Sequence, residues 1–485
     1  MKKYLVSILT CIVLLGGLGG LYIYNNARQA ALEAATTPTP YEPISITLND
    51  LDRGSLRKLE SVHKGVQMTF LRDENDRWIM EGYEDVPLVQ SAVRDIANGL
   101  CGVFAVEKLF EEAEDLAGFG LAPEQTRHTI TLQDGTQATM RLGSMTSARD
   151  YYYMMLDDDP ALYLIYKVTG DRFSKTMDEL IDKTMAEVDP ANVTHVSIQA
   201  RGNALIQADL KTPEMLENTN QDALVAMSTL QMVSPVQGKE MYLMSLNSLV
   251  MEPLANVVLE GMVCEATEAN LSAHGLDDPA FELVVEGDGY RYHLTIGNDV
   301  DANGTRAYAV YEGLPFIYEI SLAAIKPMYE ITAFKLMDRF VSLMFIDRVD
   351  EIIIQSNEKS LRHEVALNHS LVPSETEGEA PKDIIEPEVN GQAVQESAFR
   401  TFYQVVIGMA YDSLLEEYEP SGRPALVITY KLNDGSVDVV DEYYDYDAHF
   451  YAIVKGETGA FLINKQYVDA MLGSVDELLA GNFDR

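Results

Sequence analysis

Apolar and polar residues alternate on both sides of an Asp-Gly pair at three places along the chain. The three pairs are Asp134-Gly135, Asp288-Gly289 and Asp434-Gly435. Alternation places successive side chains on opposite faces of a strand, and Asp-Gly readily forms the tight turn between two antiparallel strands. The pattern therefore predicts three β-hairpins, each with one buried face.

The surroundings of each hairpin also repeat. A glycine follows the aspartate by nine residues in the first two hairpins, at Gly143 and Gly297, whereas Tyr443 has that spacing in the third. Helical stretches such as residues 86–100 and 396–410 precede the hairpins, and further strands and an amphipathic stretch such as residues 175–185 follow them. The prediction is an α+β fold with three tandem repeats of antiparallel β-hairpins or a β-meander, each with covering helices.

The repeats divide most of the chain into large units. A chain of 485 residues, at roughly 150 residues per domain, is expected to form about three domains. We place repeat unit 1 at residues 44–184, repeat unit 2 at residues 185–341 and repeat unit 3 at residues 342–485. Repeat unit 3 contains an insertion at about residues 369–392, whose Pro- and Glu-rich composition predicts a loop.

The N-terminus has the pattern of a membrane anchor. Two lysines precede an uncharged, mostly apolar run at residues 4–24, which as a helix would cross a hydrocarbon layer of roughly 30 Å. Because the two lysines lie on the short, N-terminal side of this apolar run, a cytoplasmic N-terminus is predicted. We expect a single transmembrane helix in residues 1–24, in contact with the lipid bilayer, a linker at residues 25–43, and an extracytoplasmic bulk held at the cell membrane. The alternatives are a cleaved signal peptide and a lipoprotein modified at Cys11.

The charge of the chain limits its partners. The formal net charge of -40 repels phosphate backbones, so nucleic acid is excluded as a partner. The acidic surface either keeps an exposed protein soluble or attracts divalent cations. Cys101 and Cys264 either form one disulfide or are two small buried residues, and no Cys-x-x-Cys motif indicates a redox or zinc site.

One segment has the beginning of a calcium-binding loop. Asp299, Asp301 and Asn303 alternate before the turn-forming Gly304, as the first ligands of such a loop do. The twelfth position, where a bidentate Glu is needed, is Val310, and the segment lies between two predicted strands. These residues are therefore weak metal candidates, and a polar hairpin tip is the alternative.

Motifs for catalysis are not assembled in the sequence. Ser-x-x-Lys occurs three times, twice in predicted strands, without a Lys-Thr-Gly partner. Single histidines on strands, such as His128 and His293, are typical of surface or boundary residues whose polar atoms are satisfied. We therefore expect no enzymatic activity and no cofactor apart from possible calcium; an unrecognised hydrolase is the remaining alternative.

The repeated glycine and tyrosine positions resemble a known bacterial family, the domain of unknown function 4340. The residues that carry the resemblance are Gly120-Leu121, Asp134-Gly135, Leu142-Gly143 and Tyr153 in repeat unit 1, and Gly275-Leu276, Asp278-Pro279, Ile296-Gly297 and Tyr308 in repeat unit 2. Pro123 stands one place early, and repeat unit 3 has Gly422-Arg423-Pro424 without Gly-Leu. The resemblance implies membrane anchoring, no known catalysis, and pairing with permease and ATPase subunits of an ABC transporter of the gliding-motility auxiliary type.

These observations give two functional hypotheses. The first is a non-enzymatic, membrane-anchored extracytoplasmic accessory or scaffold protein associated with an ABC-type transport complex. The alternative is an extracytoplasmic binding module for cell-wall glycan, peptide or divalent cation. The tyrosine-rich strands at residues 151–155 and 441–451 fit cross-strand packing or, in either hypothesis, a contact face.

Overall fold

The structure is a computed structural model that describes residues 45–216, 223–372, 382–415, 418–455 and 459–481. The predicted anchor at residues 4–24 and the linker at residues 25–43 lie outside the described residues. Within the described ranges, no helix combines the length and the apolar character needed to span a membrane. The chain separates into two compact bodies, one ending at Asp182 and the other beginning at Lys183.

The first body is built on an antiparallel sheet. Its strands are β1 (Ile46–Thr47), β2 (Leu56–His63), β3 (Val66–Arg72), β4 (Trp78–Met80), β5 (Phe104–Ala105), β6 (Glu107–Phe110), β7 (Thr126–Leu132), β8 (Gln137–Met145), β9 (Tyr151–Leu156) and β10 (Leu162–Tyr166). The sheet has the order β4-β3-β2-β7-β8-β9-β10-β6, while β1 and β5 form a separate pair. Its helices are α1 (Gln90–Cys101), α2 (Lys167–Phe173) and α3 (Met177–Leu180). Of the amphipathic stretch at residues 175–185, only the single turn α3 is helical.

The second body contains two further antiparallel sheets. The strands of the second sheet are β11 (Val193–Ala200), β12 (Ile206–Leu210), β13 (Leu230–Ser234), β14 (Leu259–Glu265), β15 (Phe281–Gly287), β16 (Tyr290–Asp299), β17 (Arg306–Tyr311) and β18 (Phe316–Ser321), in the order β13-β12-β11-β15-β16-β17-β18-β14. Its helical segments are α4 (Leu243–Leu246), a π-turn (Asn247–Met251), α5 (Glu252–Leu254), α6 (Glu268–Ala273) and α7 (Ala333–Leu336).

The third sheet has a similar sequence of strands. They are β19 (Val349–Ser356), β20 (Leu361–Ala366), β23 (Glu388–Val389), β24 (Gln392–Ala393), β25 (Ser413–Leu415), β26 (Leu426–Leu432), β27 (Val439–Asp445), β28 (Phe450–Val454) and β29 (Ala460–Asn464), in the order β24-β23-β20-β19-β26-β27-β28-β29-β25. Two helices, α8 (Glu396–Ile407) and α9 (Lys465–Leu479), pack against each other beside this sheet. The structure is thus α+β with antiparallel sheets, as expected.

The predicted hairpins form at all three Asp-Gly pairs. Gly135, Gly289 and Gly435 have φ values of +87°, +80° and +79°, which a residue with a Cβ rarely adopts. The hairpins pair β7 with β8, β15 with β16, and β26 with β27. Turn chemistry and alternation therefore predicted the centre of each sheet correctly.

Helices cover one face of the sheets through apolar residues at helical spacing. In α1 the buried positions include Val93, Ile96 and Leu100, and the helix lies over β7 and β8. In α8 they include Phe399, Phe402 and Val406. The spacing of three and four residues gives each helix one apolar stripe, which the sheet removes from water.

The insertion in repeat unit 3 differs from the predicted loop. Its described ends form strands: β21 (His369–Val372) pairs with β22 (Lys382–Ile385) as a separate two-stranded sheet. The strands β23 and β24 extend the third sheet as a small hairpin. The Pro- and Glu-rich composition concealed short β segments, because four-residue strands leave little periodicity to detect. Residues 373–381 lie outside the described part.

Candidate functional site

Of the three weak metal candidates, Asp301 and Asn303 lie in the turn between β16 and β17, and Asp299 is the last residue of β16. The Asp301 carboxylate accepts hydrogen bonds from the Thr305 hydroxyl at 2.7 Å, the Thr305 amide at 3.3 Å and the Asn303 amide at 2.9 Å. The Thr305 hydroxyl, and next its amide, lower the pKa of Asp301. Asp301 therefore stabilises the hairpin tip. In the part of the chain that the structure describes, no group of three or more His, Cys, Asp or Glu residues could hold a metal ion; calcium binding stays a prediction.

The cysteines and histidines singled out from the sequence are separate from one another. Cys101 is buried in α1, Cys264 is half-buried in β14, and both are free thiols. His128 is fully buried in β7, so the expected surface or boundary position is wrong for this residue, whose two ring nitrogens are both bonded inside the fold. His293 lies in β16 between two carboxylates, with ring nitrogens 2.8 Å from Glu282 and 2.9 Å from Glu312. The Ser61 hydroxyl lies 2.8 Å from His128 Nδ1, the spacing of a nucleophile and its base, but both side chains are fully buried and have no access to a substrate.

A crossover segment, residues 337–345, joins the second and third sheets within the second body. The Asp338 amide donates to the Glu240 carbonyl at 2.8 Å, on the side of the second sheet. The Val341 amide donates to the Met409 carbonyl at 2.9 Å, on the side of the third sheet. Because its backbone is bonded on both sides, the crossover segment has the role of a strand shared by two neighbouring parts of the fold.

Ionisable side chains are buried along the crossover segment. Lys239 donates to the Phe340 carbonyl at 3.1 Å and lies 3.8 Å from the Asp338 carboxylate. Its ammonium also stands 4.9 Å from the centre of the Tyr411 ring, within range of a cation–π contact. Burial lowers the pKa of Lys239 and raises the pKa of Asp338, since removal from water disfavours the charged form of each.

A second ion pair lies deeper, under the same segment. Asp441 is fully buried in β27 and pairs with the ammonium of Lys455. The Ser342 hydroxyl donates to Asp441 Oδ1 at 2.9 Å and stands 3.1 Å from Lys455 Nζ. We call Lys239, Asp338, Ser342, Asp441 and Lys455 the junction cluster.

Several polar atoms around Asp441 are buried without a partner among the described residues. They are Asp441 Oδ2 and the hydroxyls of Tyr411 and Tyr430. Burial first, and the nearby Asp441 carboxylate second, raise the pKa of both tyrosines well above the usual range. These neutral phenols are hydrogen-bond donors beside an acceptor, which is the environment in which proteins hold internal water.

The Ser342 hydroxyl lies as close to Lys455 Nζ as a serine nucleophile lies to its lysine base. The Lys455 side chain, however, is paired with the Asp441 carboxylate. The Ser342 hydroxyl is itself committed to Asp441 Oδ1. The geometry therefore favours a structural role for Ser342, in contact with both Asp441 and Lys455, over a role as an activated nucleophile.

A cavity of about 350 Å³ opens beside the junction cluster. Its charged lining consists of Lys211, Lys239, Glu240 and Asp338. Lys211 and Glu240 form an ion pair, and Glu240 Oε2 also accepts from the Met227 amide at 2.6 Å. The two cations and two anions of the lining balance, so the cavity has no net charge that would select an ionic ligand.

The sequence analysis missed the junction cluster. Its members are dispersed over more than two hundred residues, from Lys239 to Lys455, and each is an ordinary surface residue by type. One signal was present: Asp441 occupies an inward position of an alternating strand, two residues before the buried Tyr443. A carboxylate at an inward position predicts a buried partner of opposite charge.

These features define a class of protein: α+β modules with antiparallel sheets and covering helices, with a pattern of Gly-Leu, Asp-Gly and Tyr positions that recurs in the first two sheets. Comparison with known families gives the particular one, because the family model described as Domain of unknown function (DUF4340) matches residues 78–252. The resemblance to this family is confirmed over that stretch, which contains the motif residues of repeat unit 1 but not those of repeat unit 2. It runs from β4 of the first sheet to the start of α5. No curated protein and no solved structure matches the chain.

Proposed function

We propose that the protein is a non-enzymatic, membrane-anchored extracytoplasmic accessory or scaffold subunit of an ABC-type transport complex. In this proposal residues 4–24 form the anchor, with a cytoplasmic N-terminus. Three copies of one α+β repeat, at residues 44–184, 185–341 and 342–485, form the external part. Membership of the DUF4340 family and the repeated strand order of the three sheets support it.

The junction cluster is the observation that carries the proposal. Buried ionisable groups with shifted pKa values are a frequent mark of an active site. Here Asp441 holds both Ser342 and Lys455, and Lys239 lies against Asp338, so these groups join the second sheet to the third. A scaffold needs such a joint, because it must present separated surfaces in a fixed arrangement.

A groove beside the second sheet is suited to a partner. It encloses about 630 Å³ and is lined mostly by apolar residues, among them Met185, Met251 and Leu254. Val258 lines the same groove and is 63 % exposed. An apolar segment of an external permease loop would remove this surface from water, which is the main source of affinity in such contacts.

The test is crosslinking in native membranes, purification of the tagged full-length chain, and mass spectrometry of the proteins recovered with it. We expect a permease and its ATPase, and their loss when residues 4–24 are replaced by an unrelated membrane helix. Val258→Asp should weaken recovery by placing a charge in the groove. Val437→Asp is the matched control, because Val437 is 89 % exposed in the β26–β27 loop.

One result would contradict the proposal, and another would exclude the groove as the contact. Recovery of the chain alone, or of wall fragments without a transporter, would remove the accessory role. Equal recovery with Val258→Asp and wild type would exclude the groove while leaving the anchor as the contact. The binding-module alternative gains one observation of its own, an arginine-lined cavity in the first body.

A further inference from the structure

A cavity in the first body reverses the charge of the protein locally. It encloses about 370 Å³ next to α1, β5 and α2. Arg53 and Arg172 both line it, in a chain with 76 acidic and 36 basic residues. Asp95 lines it too, so one positive charge remains in excess.

The two guanidinium groups are available to a ligand. Among the described residues, neither forms an ion pair or a side-chain hydrogen bond. Some arginines of the sheets are already paired, such as Arg72 with Asp76 at 3.0 Å and Arg291 with Glu312 at 2.8 Å. Arg53 and Arg172 thus keep their full donor capacity for an anion.

The cavity wall has a glycine beside the Arg53 guanidinium. A Cβ on Gly102 would stand 3.1 Å from Arg53 Nη2, so a larger residue would press on the guanidinium. Gly102 also ends α1, and the carbonyl end of a helix attracts a cation. Gly102 thus leaves room for the Arg53 guanidinium at the end of α1.

The remaining lining supplies neutral donors and ring surfaces. Asn98 and Thr169 are half-buried and offer an amide and a hydroxyl. Phe104 and Tyr166 are exposed, at 51 % and 40 %, although large aromatic side chains are usually more buried. An aromatic face beside hydroxyl and amide donors suits a sugar ring, and a pair of arginines suits its acidic substituent.

We propose that this cavity binds an acidic saccharide through its carboxylate. The site goes beyond the scaffold role, which requires no ligand. Arg53 and Arg172 bind the carboxylate, Asn98 and Thr169 bind ring hydroxyls, and Phe104 and Tyr166 flank the ring.

The test is titration of the full-length chain with glucuronate, by calorimetry and by saturation-transfer NMR. Glucuronate should bind, with an affinity that falls as salt is added, and glucose should bind at least about tenfold more weakly because charge-assisted hydrogen bonds are lost. Arg53→Gln and Arg172→Gln should each weaken glucuronate binding by about tenfold. Arg77→Gln, an exposed arginine of the same body outside the cavity, should leave it unchanged.

Folding of each variant is checked by the fluorescence of Trp78, the only tryptophan, which is buried in β4 of the first body. Unchanged fluorescence with lost binding supports the site. Equal binding by wild type and both arginine variants, or no glucuronate binding at all, overturns it. Inorganic phosphate that binds as tightly as glucuronate would show that the ring contributes nothing, and would overturn the saccharide assignment.

Discussion

His128 gives the first body a stability that depends on pH. The ring is fully buried between β7 and α2. Its Nε2 donates to the Phe173 carbonyl at 2.7 Å, which leaves Nδ1 to accept from the Ser61 hydroxyl at 2.8 Å. Burial lowers the pKa of His128 to about 4, an effect that the Phe173 hydrogen bond opposes and the nearby His63 reinforces.

The sign and size of the effect follow from this shift. In the unfolded chain the group has its ordinary pKa of 6.5, so below that pH the unfolded state binds a proton that the folded state does not. Stability is therefore complete above pH 6.5 and is lost as the pH falls toward 4. One pKa unit corresponds to about 1.4 kcal/mol, so the whole loss is about 3 kcal/mol, a substantial part of a usual domain stability of about 5–15 kcal/mol.

Trp78 provides a local assay. It lies in β4 of the same sheet, so urea unfolding followed by its fluorescence reports on the first body. Unfolding free energies are measured from pH 7.5 to pH 5 for wild type and His128→Gln, whose amide keeps a donor for Phe173 but does not titrate. The variant should lose up to about 1.4 kcal/mol less per pH unit than wild type.

The comparison of slopes separates titration from packing. His128→Gln is expected to change stability at pH 7.5 as well, but that change is constant over the pH range. Identical slopes for wild type and His128→Gln would show that the folded state accommodates a protonated ring, and the reasoning from burial would be refuted. His63, whose pKa is also lowered by burial, contributes in the same direction and is present in both proteins.

Three further predictions concern charge, packing and thiol reactivity. Lys239→Met should destabilise the second body by about 3 kcal/mol or more, because it leaves Asp338 buried without its cation. The double variant Lys239→Met with Asp338→Leu should cost much less. Urea denaturation compares the two variants, and an equal or larger loss of stability in the double variant would contradict this prediction. Gly143→Ala and Gly297→Ala should each cost about 1–3 kcal/mol because a Cβ would overlap a loop carbonyl, while Gly473→Ala in α9, where a Cβ meets nothing, should stabilise by up to about 1 kcal/mol; thermal melts that fail to separate them would count against the close approach. Iodoacetamide should label Cys264 in the native protein and spare Cys101, because burial raises the pKa of the Cys101 thiol to about 11; peptide mapping that finds Cys101 labelled first would contradict this.

Local signals determined what the sequence could predict. The hairpins depend on Asp-Gly turns and on alternation within ten residues, and α1 and α8 depend on spacings of three and four residues. Each of these features is complete within a short window, so a single sequence contains it. The short strands β21 and β22 were missed for the same reason, because they offer too few positions to show a period.

The junction cluster shows why the candidate site could not be predicted in the same way. Its contacts join Lys239 to Asp338 and Ser342 to Asp441, residues separated by about a hundred positions that no local pattern relates. The pKa shifts of Lys239 and Asp338 arise from burial, which depends on where the crossover segment lies. Only Asp441, a carboxylate at an inward strand position, departed from the expected pattern.

The repeated glycine has a physical cause that also explains its absence from the third sheet. A Cβ on Gly143 would overlap the Phe119 carbonyl, and one on Gly297 would overlap the His274 carbonyl, because a Gly-Leu loop crosses both strands at that point. The Ser144 amide donates to Phe119 at 2.9 Å and the Asn298 amide to His274 at 2.8 Å, which fixes the loop in each sheet.

By its distance from the Asp-Gly pair, Tyr443 would be equivalent to this glycine in the third sheet. The pairing of the strands, however, indicates a different residue. Leu142 pairs with the first residue of β7, Thr126, and Tyr443 likewise pairs with the first residue of β26, Leu426. The residue after Leu142 is the glycine, so its counterpart is Tyr444. Tyr444 is half-buried and donates to Glu442 at 2.7 Å, so a full side chain stands where the first two sheets have a glycine. The third sheet therefore resembles the other two in its strand order and register. The Gly-Leu motif identifies a related sheet only where a loop crosses the strand.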